Sequence, residues 1–433
     1  MNFIKSRSVS NYRVNPMLVK VGREEEISIY PVGAAKRFDD GAEYTVSFIP
    51  REVFGENRFG EKTAWDSVKT RSRDGVIKVK YTFSDEEEWV ISVVENKEGA
   101  TPTDVRVYAL EEDLYELDPY KGDLHVHSCR SDGKDDPCVL AANYRKEGFD
   151  FFALTDHHKW EPSEEMIRGF DGVRLGIKLF HGEEVHIPTG WIHMVNFGGE
   201  VSVNELYHKN RAKIDALVLS EAEKIDTPRG VNAIDYAYRR WITEEIRKGG
   251  GLSIVPHPNW IFRQTYNMSM ATLDYVFKNG AYDAFELIGG QSVHENNMQT
   301  AFYNEQRAMG RDIPVVGSSD SHGTDPACYF GIGSTIVFAK DMELSSIIDA
   351  IKGGYSVAIE KQTGEEERVY GKYRMVKYAR FLIDCYFPLH DEWCVEEGVL
   401  MREYIMGDKD AGAALTSLSD RVAKKRAKLL RGK

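Results

Sequence analysis

The chain has 433 residues, 42% hydrophobic and 29% charged, and its 56 basic and 69 acidic side chains leave a net charge of −13. That length predicts two or three domains rather than one core. The acidic balance excludes a broad nucleic-acid surface, which needs clustered Lys and Arg, and favours a small or neutral substrate. Residues 1–7 lack the roughly 7–15-residue apolar core of a signal peptide, and no later run reaches the ~18 residues of a membrane span, so a cytoplasmic location without membrane partners is expected. The cysteines Cys129, Cys138, Cys328, Cys385 and Cys394 are odd in number and include no Cys-x-x-Cys pair, so they read as free thiols in a reducing compartment.

Residues 1–118 hold β-type runs at 76–83, 89–94 and 105–108, separated by turn-like stretches at 73–75 and 98–102. This pattern predicts an antiparallel, small sandwich-like domain. None of the twelve histidines falls there. A packing or homo-oligomerisation module is therefore expected in preference to a carbohydrate-binding one. From 119 to 360, apolar runs at 151–154, 177–180, 252–255, 285–288, 313–316 and 335–338 alternate with amphipathic helical stretches. The texture predicts an α/β fold, a parallel barrel of about seven or eight strands. A helical insertion spans about 199–250, where Ile214, Leu217, Val218 and Ile225 follow helical spacing. Thr227 then reads as a cap with Pro228 at the first helical position, and Ile234, Tyr238 and Trp241 on the buried face. Residues 361–433 form a helical tail ending in a basic stretch, for which a solvated end is expected ahead of an acidic partner.

The chemistry is concentrated in the middle segment. On a strand, side chains alternate, so His125 and His127 of Gly-Asp-Leu-His-Val-His project to one side as a pair of metal-type ligands. Ser131-Asp132-Gly133, Thr155-Asp156-His157-His158, Gly182-Glu183-Glu184, His193, Pro256-His257-Pro258 and Ser319-Asp320-Ser321-His322 follow, nearly all at the downstream ends of apolar runs. Imidazole and carboxylate without thiolate pairs suit Zn, Mn or Fe rather than a structural zinc site.

This ordered set resembles the PHP (polymerase and histidinol phosphatase) family of metal-dependent hydrolases. The β-rich segment joined to Tyr120-Lys121-Gly122-Asp123-Leu124-His125-Val126-His127 is most similar to its carbaryl-hydrolase-like branch. The resemblance covers roughly residues 119–360 and implies a distorted (β/α)7-type barrel holding two to three divalent metal ions. It implies that His125, His127 and Asp320 hold the first ion, that Glu184 bridges to a second completed by His193 and His257, and that Asp132, His157 and His322 hold a third. Glu184, Asp320 and His193 are then the central catalytic positions. The Gly-x-Glu spacing selects Glu184, leaving Glu183 on the opposite side of its strand. Asp156 is expected to orient a ligand. His158 stands where family members often carry an acid, His186 is a rim residue at most, and His181, His208, His294 and His390 fit no motif.

Arg130 and Arg263 lie in loops after two of the ligand strands and are the candidates for gripping a substrate phosphate or carboxylate. Cys129 as a nucleophile lacks a dedicated base and is redundant with the metals. The expected activity is hydrolysis of a small phosphorylated substrate by a metal-bridged hydroxide, with no covalent intermediate. Hydrolysis of a carboxylic ester, amide or carbamate is the second reading, and a non-catalytic metal-containing binding or regulatory subunit the third.

Overall fold

A computed structural model describes residues 11–33, 38–53, 65–188 and 191–433, so the expectation about a leader at residues 1–7 lies outside the described residues. The chain divides into two compact units, one of residues 1–117 with 377–390 and 421–433, the other of 118–376 with 391–420. The segment 361–433, expected as a separate tail, is thus distributed between them. It is helical, with helices Tyr373–Cys385, Phe387–Ile405, Lys409–Leu418 and Arg421–Arg431. Among the described residues no helix is long and apolar enough to cross a membrane.

Among the described residues the first unit contains two sheets. The smaller joins Tyr12–Asn15, Glu24–Pro31 and Ile77–Thr82, and the larger runs Leu18–Lys20, Thr103–Leu110, Glu88–Glu95, Glu43–Pro50, Asp66–Arg71. Period-two alternation builds them: Ile77 and Val79 are buried while Lys78 and Lys80 face solvent. Ile27, Ile29 and Val79 of one sheet share a core with Val46, Phe48, Ile91 and Val107 of the other. The C-terminal helices complete this unit. Tyr108 is buried with its ring centroid 5.2 Å from that of Tyr378 and 5.3 Å from that of Phe381, and the Arg431 guanidinium donates to the carbonyl oxygens of Tyr115 and Leu117 at 2.8 and 2.7 Å. A fragment ending at residue 118 should therefore melt at least ~4–8 °C below the same unit in the full chain, the shift of about 1 kcal/mol in a domain this size. Calorimetry showing equal transitions would contradict this.

In the second unit, a six-stranded sheet has the order Lys178–Phe180, Phe151–Ala153, Asp118–Asp123, Gly333–Ala339, Ser356–Glu360, Arg368–Tyr370. A five-stranded sheet has the order Gly182–Ile187, Ile192–Phe197, Leu252–Val255, Ala284–Ile288, Val315–Gly317. The expectation of an all-parallel barrel is corrected here: Asp118–Asp123, Phe151–Ala153 and Lys178–Phe180 pair in parallel, whereas Gly333–Ala339 runs antiparallel to both its neighbours, as does Ile192–Phe197 to both of its own. A continuous apolar run signals burial on both faces but says nothing about direction. The short connection 188–191 makes Gly182–Ile187 and Ile192–Phe197 a hairpin, which can only be antiparallel. Both sheets contribute to one core, with Tyr120, Phe151 and Val337 beside Val195, Ile254 and Val316.

The insertion forms two helices, Val203–Ala222 and Ala233–Lys248, whose buried side chains Ile214, Val218, Tyr238 and Trp241 join the core of the five-stranded sheet. The second helix starts later than its sequence suggested. Asn232, not Thr227, is its cap, accepting from the backbone N–H groups of Ile234 and Asp235, and Ile234 and Leu217 are exposed.

Candidate metal centre

The predicted ligands converge at the ends of these strands. His125 and His127 follow Asp118–Asp123, and the chain there bridges at Val126 to Ser321 in the loop that carries Asp320 and His322. Buried Asp123 clips the two segments together. Its carboxylate accepts from the backbone N–H of His125 at 3.2 Å, that of Ser319 at 3.0 Å and the Tyr144 hydroxyl at 3.0 Å. The same hydroxyl reaches Ser319 Oγ and Ser321 Oγ at 3.0 and 2.9 Å. Burial pushes the Asp123 carboxyl up to about 7.

Glu184 is the hub. Ring nitrogens of six histidines lie within 3.5 Å of its carboxylate: His125 at 3.3, His127 at 3.5, His157 at 2.8, His186 at 3.1, His193 at 3.0 and His257 at 3.2 Å. Asp320 Oδ1 stands 3.3 Å from His125 Nε2 and 3.0 Å from His127 Nε2. Toward the rim, Asp132 places its two oxygens 3.3 Å from His157 Nε2 and 3.3 Å from His322 Nε2. The three expected ligand sets are therefore not separate: His157 touches both Glu184 and Asp132, and His127 belongs with Asp320 and with the rim set. His257 and Asp320 adopt left-handed backbone, with φ of 26° and 48°, a strained conformation that clusters at functional positions when the surrounding fold enforces it.

Residues that sequence reasoning passed over complete the arrangement. His186 faces the hub, its ring stacked on His193 at 3.9 Å and its Nε2 3.0 Å from His157 Nδ1. The signal was present: His186 is two residues beyond Glu184 on one strand and so shares its face. Glu286, fully buried within the run Ala284–Ile288, meets His125 Nδ1 at 2.9 Å and accepts from the backbone N–H of His257 at 3.3 Å. A lone carboxylate in an apolar run was its signal. By accepting from the Nδ1–H, the Glu286 carboxylate favours the tautomer that turns the His125 Nε2 lone pair toward Glu184 and Asp320.

The remaining positions have other partners. Glu183 points away from the hub and accepts from the backbone N–H of Val203 at 2.5 Å and from Ser202 Oγ at 2.8 Å, fixing the start of that helix. Asp156 accepts from the N–H and Oγ of Ser128 at 2.9 and 2.6 Å and from Ser131 Oγ, which holds the loop that carries Asp132. Arg130, expected as a substrate grip, has its guanidinium paired with Glu165, with Asp136 at 3.7 Å, and is not among the residues lining the cleft over the histidines. Arg263 does line that cleft. His181 pairs with Glu164 at 2.7 Å, and His390 is buried in the other unit.

The donor chemistry fits divalent cations. His125 Nε2 and Glu184 Oε2 are buried and 3.3 Å apart yet lack hydrogen-bond geometry. Such groups are costly unless something else satisfies them. Burial alone would raise the Glu184 carboxyl, but the surrounding imidazoles, His186 and His157 foremost, hold it well below the usual range. Burial disfavours charge on His157, yet Glu184 and Asp132 outweigh it and lift the ring to about 10, whereas burial dominates at His186 and lowers it to about 3. The set holds sites of three and four donors, including His127, Asp132, His157 and His322, with ligand atoms within 4.8 Å of one another.

No family model matches the chain, and no curated protein is significantly similar to it. Solved structures do resemble it. A two-domain protein from Bacteroides vulgatus, described as containing a predicted PHP-like metal-dependent phosphoesterase, is 19% identical over 56% of this chain and 65% of its own, with a TM-score of 0.41. The match thus spans just under two thirds of that protein. A candidate metal-dependent phosphoesterase from Bifidobacterium adolescentis is 19% identical over 47% of this chain and 87% of its own, TM-score 0.33. An amidohydrolase from Chromobacterium violaceum, with bound sulfate and no metal, is 18% identical over 46% of this chain and 87% of its own, TM-score 0.31. Similarity of this degree does not assign a function, which has to come from the side chains themselves.

Proposed function

We propose that the chain is a metal-dependent hydrolase, a phosphoesterase acting on a small phosphorylated substrate. The observation that carries this reading is the Glu184 carboxylate, fully buried with ring nitrogens of six histidines within 3.5 Å, four of which (His157, His186, His193 and His257) line a cleft of about 550 Å³. A structural carboxylate does not need six imidazoles. Two or three divalent ions, Zn, Mn or Fe, would supply Lewis acidity and a water activated near neutral pH. His125, His127 and Asp320 would hold one ion, His193 and His257 a second shared through Glu184, and Asp132, His157 and His322 a third at the rim.

The remaining residues position this set. Glu286 fixes the tautomer of His125, and the Asp123–Tyr144 clip holds the two ligand-bearing segments in register. Phosphoryl transfer needs little covalent help from a protein beyond such positioning and charge stabilisation. Protein expressed with supplemental metal should contain more than one equivalent per chain and hydrolyse 4-nitrophenyl phosphate, with loss of activity on chelation and recovery on metal return. Turnover of 4-nitrophenyl acetate or carbamate alone would favour the carboxyl-ester or carbamate reading. A fully metallated protein inert to all of them would leave a binding subunit.

A further inference from the structure

The cleft above the histidines has one aromatic wall. Trp260 lies with its ring centroid 5.8 Å from those of His193 and His257, Phe262 stacks on Trp260 at 5.2 Å, and Trp191, half exposed, meets Phe262 at 5.6 Å. The ladder leads from the proposed reaction centre toward solvent. Phe262 belongs to a two-residue hairpin, Ile261–Phe262 paired with Thr265–Tyr266, whose tip is Arg263 and Gln264. Both tip residues have positive φ, 47° and 71°, in a position where Asn-Gly is the unstrained choice. The hairpin is tied down by the Glu295 carboxylate, which accepts from the backbone N–H of Ile261 at 2.7 Å, and by the N–H of Asn267 donating to the carbonyl of Trp260 at 2.8 Å.

The strained tip puts Arg263 on the cleft lining. Its guanidinium carbon lies 5.1 Å from the Phe262 ring centroid, and it has no carboxylate partner among the described residues. Gln291, 5% exposed, lines the same cleft, and neither carboxamide atom has a hydrogen-bond partner. An apolar stacking wall beside an unpaired cation and an unsatisfied amide matches a ligand that is flat, polar at its edge and anionic.

We propose that the Ile261–Tyr266 hairpin is a specificity arm for substrates whose phosphoryl group is attached to a planar aromatic portion, with a second anionic group on that portion gripped by Arg263. This rests on the hydrolase reading for the position of the phosphoryl group and adds the class of group attached to it.

Calorimetric binding of phosphonates, which cannot be hydrolysed, to the metal-loaded full-length protein tests the arm apart from turnover. Benzylphosphonate should bind ~10-fold tighter than cyclohexylmethylphosphonate, which is similar in size but not flat. 4-Carboxybenzylphosphonate should bind ~10-fold tighter than its neutral 4-carbamoyl counterpart. Phe262→Leu should collapse the first ratio and Arg263→Gln the second, each toward one. Equal affinities within either pair in the wild-type protein, or ratios that survive the substitutions, would overturn the proposal. Failure of the hydrolase reading shows instead as phosphonate binding with these ratios but no turnover of the corresponding phosphates.

Discussion

Glu184→Gln should abolish turnover, by on the order of 10³-fold or more, and remove at least one metal equivalent. The substitution keeps the shape of the side chain and deletes the one charge that six imidazoles share. Without it, neighbouring cations lose their common anion in a buried site where their repulsion is poorly screened. Asp132→Ala tests the opposite end of the cluster. Asp132 is half exposed and meets only His157 and His322 among the histidines, both of which keep other partners. That variant should lose about one metal equivalent and roughly 10–100-fold in kcat/KM while keeping measurable activity. Metal stoichiometry and steady-state kinetics on both, with circular dichroism as a check on folding, make the comparison. Near-normal turnover in Glu184→Gln, or full metal content in Asp132→Ala, would sink the assignment.

The second large effect is a reversal of pH dependence on metal removal. In the metal-free chain His157 is lifted to about 10, so its contribution to stability is fully present below the unfolded value of ~6.5 and is lost as pH rises through about 10. Asp123, lifted to about 7, also favours the protonated fold and loses its contribution as pH rises through 7. His186, lowered to about 3, works the other way: the fold holds it neutral, and stability falls as pH drops from ~6.5 toward 3. Chelated protein should therefore be most stable near pH 6–7 and melt lower at pH 9. Metal-loaded protein should gain stability from pH 6.5 to 9, because cations compete with protons for the imidazoles, and at 100 times the dissociation constant a single ion adds about 2.7 kcal/mol. Thermal melts of both forms at the two pH values decide the matter. Parallel curves would mean that the cluster does not bind metal.

Several features of the centre were legible because they depend on local chemistry. The spacing His-x-His and the Gly-x-Glu step place side chains on one face of an extended segment whatever the rest of the fold does, whereas Asp320 reaches the centre from left-handed backbone. That rule separated Glu184 from Glu183, whose carboxylate serves the helix start at Val203. Applied two residues further, it also reaches His186, whose pairing opposite His193 then follows from the hairpin register. Glu286 was readable as a carboxylate in a buried run, though not its partner, which lies 161 residues away.

What only the tertiary structure decided is how distant segments meet. Arg130 looked available until the fold brought Glu165 onto it, 35 residues along the chain. Arg263, equally anonymous in sequence, was left unpaired on the lining of the cleft. Strand direction likewise depends on connections and not on composition, which is why apolar runs that suggested a parallel barrel assemble into two mixed sheets. The ligand types of this protein were set by its sequence, since coordination chemistry belongs to individual side chains. Their convergence on one carboxylate was set by strand pairing and register, since those depend on hydrogen bonds and packing between segments far apart in the chain.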